Sequence, residues 1–149
     1  MRIIPAEMKN IPTSYQLQLL AFESEAEMIG SRDVPAFQET EKENRVDFKN
    51  WNTLKLEDDD SNIIGAIRYR HCDDFIDVGR LMIHSGYRHR VLAQKLLSEV
   101  DRLCPKEIKE LYTCTKSWSN IRLYEKTGYK PYKEHMDTSG LSFVHMRKQ

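Results

Sequence analysis

No charge of one sign dominates this chain. Lys and Arg number 23, Asp and Glu number 23, and the formal net charge at pH 7 is zero. A strongly basic surface is the electrostatic footprint of nucleic-acid or anionic-membrane binding, and the composition lacks it. Neither partner is expected. Long apolar runs are also missing, and none approaches the roughly 20 residues of a bilayer span. The opening Met1-Arg2-Ile3-Ile4-Pro5-Ala6-Glu7 has no apolar stretch of secretory type, so a cytoplasmic protein is expected. Cysteine is scarce. Cys72, Cys104 and Cys114 are odd in number and not in metal-ligand spacing, which fits reduced, buried thiols. His71, His84, His89, His135 and His145 are scattered, with no Cys or carboxylate in ligand spacing. No metal site and no Ser/His/Asp or Cys/His arrangement is expected from them. There is no repeat and no Pro/Gly/Ser-rich linker, so residues 1–149 are expected to form a single domain.

What is present is 40% hydrophobic residues, enough for a core, in a pattern that changes period along the chain. A helical pattern runs from about Ser14 to Glu27, and a more polar helix is expected from about Glu39 to Phe48. Asn52 to Glu57 alternates polar and apolar residues, as a strand does. Asp58-Asp59-Asp60-Ser61-Asn62 is a turn by composition, since a calcium loop would need further ligands at fixed spacing. Strands are then expected over Ile63 to Tyr69 and Phe75 to Ile83. From about Arg90 to Leu103, residues Leu92, Ala93, Leu96, Leu97, Val100, Leu103 and Cys104 cluster on one helical face. Val91 falls on the polar side of that helix. A strand over Glu110 to Thr115, a helix over Trp118 to Thr127 and a left-handed cap at Gly128 follow. Two last strands, about Tyr129 to Met136 and Leu141 to Met146, complete a mixed β-sheet flanked by helices, an α/β fold.

Two segments carry chemistry. Ile83 to Leu97 reads as a strand end, a basic turn and the start of an amphipathic helix. The first N–H groups of a helix lack internal partners and sit at the positive end of its dipole. With Arg88, His89 and Arg90 at the rim, that turn suits a pyrophosphate, although a solvated loop would have the same composition. In the second segment, Ser117, Asn120 and Tyr124 fall on one helical face while Arg122, Glu125 and Lys126 point away. A core tyrosine with a supporting asparagine would also fit that pattern. Glu23, Glu25 and Glu27 on the first helix are either solvent-facing or include one that lines an acceptor site.

Arg88-His89-Arg90-Val91-Leu92-Ala93 resembles motif A of the GNAT N-acetyltransferases, with Val91 standing where glycine is usual and Ser85 where proline is common. Ser117-Trp118-Ser119-Asn120-Ile121-Arg122-Leu123-Tyr124-Glu125-Lys126-Thr127-Gly128-Tyr129 is similar to motif B of the same family. Leu20 to Glu27 and Leu141 to Lys148 look like one bacterial branch of it. The resemblance implies an acyl-CoA N-acyltransferase-like fold and acetyl transfer from acetyl-CoA, as co-substrate, to a small-molecule or peptide amine. It implies that Asn120 contacts the pantetheine arm and that Tyr124 faces the thioester sulfur. The arm is then expected beside the backbone of Met82 and Ile83, and the pyrophosphate on Arg88, His89, Arg90, Val91, Leu92, Ala93 and Gln94. Tyr124 is expected to act as general acid, and Glu25 as base or as a cation-binding group. The alternative is a non-catalytic acyl-CoA-binding or regulatory protein on the same fold. Either leaves a homodimer possible.

Overall fold

In this computed structural model the described residues are 1–87 and 90–149. Strand β1 (Arg2–Pro5) and one 3-10 turn lead into helix α1 (Ile11–Ile29). Two short helices follow, α2 (Pro35–Gln38) and α3 (Glu41–Phe48). Then come β2 (Asn52–Glu57), β3 (Ile63–His71), β4 (Ile76–Ile83), α4 (Arg90–Leu103), β5 (Lys109–Cys114), α5 (Trp118–Lys126), β6 (Lys130–Met136) and β7 (Ser142–Lys148). The strands form one mixed sheet in the order β1-β2-β3-β4-β5-β7-β6. Every pair is antiparallel except β4–β5. A parallel pair needs a crossover, and α4 supplies it. The fold is the expected mixed sheet flanked by helices.

Helix α4 covers one face because its apolar stripe has the right period. Leu92, Leu96, Leu97 and Val100 pack with Leu54, Leu56, Ile67, Ile76, Val78 and Leu111. Leu103, expected on that stripe, is 40% exposed. It is the last residue of α4, and Cys104, just past the helix end, is buried in its stead. The opposite face is covered only in part. There Leu17 of α1 packs on Ala66 and Met82, with Ala21 and Phe22 alongside.

Two local features set where charged side chains point. Thr40 and Glu43 form a capping box, each side chain accepting the other's backbone N–H at 3.1 and 3.0 Å. Helix α3 therefore starts after Thr40, and Glu39 stays outside it. Its buried side chain accepts from Gln18 Nε2 (3.1 Å) and Asn44 Nδ2 (2.8 Å) and contacts Arg80 (3.4 Å). The second feature is a bulge in β4. Gly79 lies opposite Arg68 and Met82 opposite Ala66, so Arg80 and Leu81 together face Ile67 alone. Arg80 takes φ of 50°, a left-handed conformation uncommon outside glycine. At the far end, Gly128 (φ 101°) closes α5 as its spacing predicts.

Candidate active site

Strands β4 and β5 run side by side for only two rungs, Ile76–Lys109 and Asp77–Glu110. Beyond them the bulge at Arg80 and Leu81 bends β4, and the parallel ladder ends. The chain gains an open cleft of about 320 Å³ in the space beyond. Leu81, Met82 and Ile83 form one wall, Ser117 with Asn120, Leu123 and Tyr124 of α5 another, and Phe22, Glu25 and Met28 of α1 a third.

Ladder alternation shows which backbone groups face the cleft. His84 N–H donates to the Ile64 carbonyl at 2.7 Å, and Met82 is paired with Ala66. Bonded pairs alternate with unbonded ones in an antiparallel ladder. The N–H and C=O of Ile83, opposite Gly65, therefore turn away from β3 and toward the β5 side. Those of Met82 are committed to β3. Of the two expected residues, Ile83 has the free main-chain groups and Met82 a side chain on the wall.

Ser117, Asn120 and Tyr124 all line the cleft, as their spacing on α5 predicts, while Arg122, Glu125 and Lys126 are exposed on the other side. Ser117 is buried, and its Oγ has no hydrogen-bond partner among the described residues. Of the three α1 carboxylates, Glu25 alone lines the cleft; Glu27 is exposed, and Glu23 pairs with Arg32 at 3.0 Å. Burial raises the Glu25 pKa above the ordinary carboxylate value. Ser117, Asn120, Arg80 and Thr113 pull it partly back. The Ser117 hydroxyl thus favours the anion without standing in direct hydrogen-bonding geometry with it. Burial also pushes the Tyr124 phenol well above its ordinary value, and the nearby Glu25 charge adds to the shift. The Tyr124 ring packs edge-on against Tyr129, 6.0 Å between centroids.

A second cavity shares Phe22, Glu25, Leu81, Asn120 and Tyr124 with the first. From there it extends to Trp51, Arg70, Asp77, Arg80, Tyr112 and Phe143. Glu25 and Tyr124 stand where two openings meet, one lined by the free edge of β4 and one by charged and aromatic groups. Two reactants could reach these side chains from opposite ends. The residues particular to this second cavity carried little sequence signal, because most come from β3, β4, β5, β7 and a loop. Phe22 is the exception: three residues before Glu25 on α1, it shares that helical face.

The basic turn is described only in part. Arg88 and His89, expected at a pyrophosphate, lie outside the described residues, as does the side chain of Arg90. Val91, in the first turn of α4, is 57% exposed, and Gln94 is half-buried. Leu92 and Ala93 are buried, with Ala93 also on the cleft wall. For Leu92 and Ala93, only main-chain N–H groups remain for a phosphate.

Residues 34–149 match the family model of the acetyltransferase (GNAT) domain. The chain belongs to the GNAT acetyltransferase family. Solved acetyltransferases of similar fold include the ribosomal-protein-S18-alanine N-acetyltransferase from Escherichia coli, at 16% identity and TM-score 0.79 over 99% of this chain and 92% of that one. The PaiA N-acetyltransferase from Thermoplasma acidophilum, solved with coenzyme A, superposes with TM-score 0.75 at 18% identity, covering 100% and 99% of the two chains. The putative acetyltransferase yncA from Salmonella typhimurium, solved with acetyl-CoA, gives TM-score 0.73 at 15% identity over 100% and 93%. No curated protein matches the sequence. This GNAT chain has no helix, among the described residues, long and apolar enough to cross a membrane.

Proposed function

We propose that this GNAT acetyltransferase moves the acetyl group of acetyl-CoA to a primary amine, within one domain. The observation that carries the proposal is the meeting of the two cavities at Glu25 and Tyr124. The pantetheine arm runs along the free backbone of Ile83, as an added strand would, with Asn120 and the unpartnered Ser117 hydroxyl as polar contacts. Acetyl-CoA supplies the acetyl group as a thioester. The Ile83 N–H faces the same cleft and can polarise the carbonyl. The main-chain N–H groups at the start of α4 take the pyrophosphate.

The amine must arrive neutral, because its lone pair forms the new C–N bond, yet amines are mostly protonated at pH 7. A carboxylate with a raised pKa is a better base for that proton than an ordinary one, and Glu25 is such a group. As the C–S bond breaks, charge builds on sulfur, and the Tyr124 hydroxyl is placed to donate to it. Burial keeps Tyr124 protonated but also makes full loss of its proton costly. Its main contribution is therefore a hydrogen bond to the developing thiolate. Similar folds named for acting on a ribosomal-protein alanine and on spermidine support an amine acceptor.

Calorimetry with acetyl-CoA, followed by thiol release with a panel of amines, tests this reading. Acetyl-CoA should bind, and thiol release should require an amine and rise with its free-base fraction. Absence of binding at millimolar acetyl-CoA would overturn the proposal at its first step. Val91→Gly should tighten coenzyme A binding, by removing a branched side chain from the turn that faces the phosphates. Glycine in the first helical turn should lower stability by up to about 1 kcal/mol. Unchanged affinity would mean that the turn accommodates valine without loss.

A further inference from the structure

The second cavity, opposite the one given to acetyl-CoA, is the one left for the acceptor, and the charges lining it do not all cancel in pairs. Arg70 and Asp77 neutralise each other at 3.1 Å. Two groups remain, the Glu25 carboxylate and the Arg80 guanidinium. Glu25 has no ion-pair partner among those formed by the described residues. Arg80 donates to Glu39 Oε2 at a long 3.4 Å while Gln18 and Asn44 hold Glu39 Oε1, and Glu39 does not line the cavity. The Arg80 Nε is buried and has no partner among the described residues.

Three observations thus fall on one residue. Arg80 holds a left-handed backbone angle that most non-glycine residues avoid, it carries a buried unpartnered donor, and it stands on the cavity wall. Strain and an unsatisfied donor at one position are the marks of a group kept for a ligand. A guanidinium presents five N–H donors in a planar fork that matches a carboxylate.

We propose that the acceptor is a free amino acid, whose ammonium group is received by Glu25 and whose carboxylate is held by Arg80. This rests on the acetyltransferase reading and names the substrate class of the same site. The wall offers one negative and one positive group that form no ion pair with each other among the described residues, and a zwitterion supplies both complements at once. An acceptor with amines alone would leave the Arg80 Nε–H without a partner and set a second cation against the guanidinium. Tyr112 and the edge of Trp51, whose ring stacks with Arg68 and Arg70, line the same cavity and are left to meet the amino-acid side chain. The guanidinium attracts the carboxylate and leaves the nitrogen to Glu25. It selects the acceptor and takes no part in the proton transfers.

The test begins with the unaltered protein, so it does not depend on a variant folding. Each standard L-amino acid is compared with its carboxamide and with the corresponding decarboxylated amine, at equal free-base concentration. The expected kcat/KM for the preferred amino acid exceeds that for its carboxamide by roughly ten- to a hundredfold, as loss of a charge-assisted fork predicts. Arg80→Gln should bring that ratio to about one, chiefly through KM, while Arg80→Lys keeps part of it. Because Arg80→Gln also strips Glu39 of its cation, Arg80→Gln with Glu39→Gln repeats the measurement without an unpaired buried charge. If carboxamides or decarboxylated amines react as fast, or no amino acid is acetylated although acetyl-CoA binds, the proposal is overturned and the acetyltransferase reading stands. Failure of acetyl-CoA to bind would sink the acetyltransferase reading instead.

Discussion

Replacing Tyr124 with phenylalanine lowers kcat roughly 10²-fold and leaves the affinity for acetyl-CoA nearly unchanged. The ring must stay for this to be a clean experiment, because it is buried and packs edge-on against Tyr129. Phenylalanine keeps that packing. What it removes is a hydroxyl that makes no hydrogen bond to another group among the described residues. Ground-state stability therefore has little to lose, and the change should shift Tm by no more than a few degrees. The transition state has more to lose, since a positioned donor aimed at developing charge is worth most where water is excluded. The pH dependence adds a check. Both burial and the Glu25 charge hold the phenol protonated, so no loss of rate from Tyr124 ionisation should appear below pH 10. A variant with normal kcat and a lowered Tm would make Tyr124 a core residue, with water protonating the leaving thiolate.

The face of α5 was legible because a helix obeys a fixed period. Ser117, Asn120 and Tyr124 could be placed on one side before any fold was known, and the cleft lies on that side. The face of α4 was legible for the same reason, up to Leu103 at its frayed end. The bulge in β4 was not. Period-two alternation through Val78-Gly79-Arg80-Leu81-Met82 carries no mark of the extra residue, and arginine is an unexpected occupant of a left-handed angle. Without the bulge, neither the end of the β4–β5 ladder nor the inward position of Arg80 could be read. Strand β1 was missed because its four residues are too few for alternation to register. Glu39 was read as the first residue of a helix. Thr40 takes the capping position instead and leaves Glu39 to turn inward.

Changing Glu25 to glutamine should slow catalysis and stabilise the fold, two effects of opposite sign from one half-buried charge. Glutamine has nearly the same shape and can still face Ser117 and Asn120, but it cannot accept the amine's proton. Loss of a general base predicts a fall in kcat/KM of roughly 10²-fold near neutral pH. It also removes the contribution of Glu25 ionisation to the rising limb of the pH–rate profile, leaving only that of the acceptor amine. The stability effect follows from burial. The folded-state pKa of Glu25 is raised above its ordinary value of 4.5, so between those two values the folded protein holds more protons than the unfolded chain. Stability then decreases as pH rises through that window. The penalty is absent below the unfolded pKa and complete above the folded one. The glutamine variant carries no such charge. Its Tm should exceed that of the unaltered protein at pH 8, and the two should converge as pH falls below 4.5. Thermal melts of both proteins at the two ends of that range, with kcat/KM at pH 8, measure everything needed. A normal rate would remove Glu25 from proton transfer. A variant less stable at both ends would mean that Ser117, Asn120 and Arg80 more than offset the cost of burial, and that this carboxylate belongs to the scaffold.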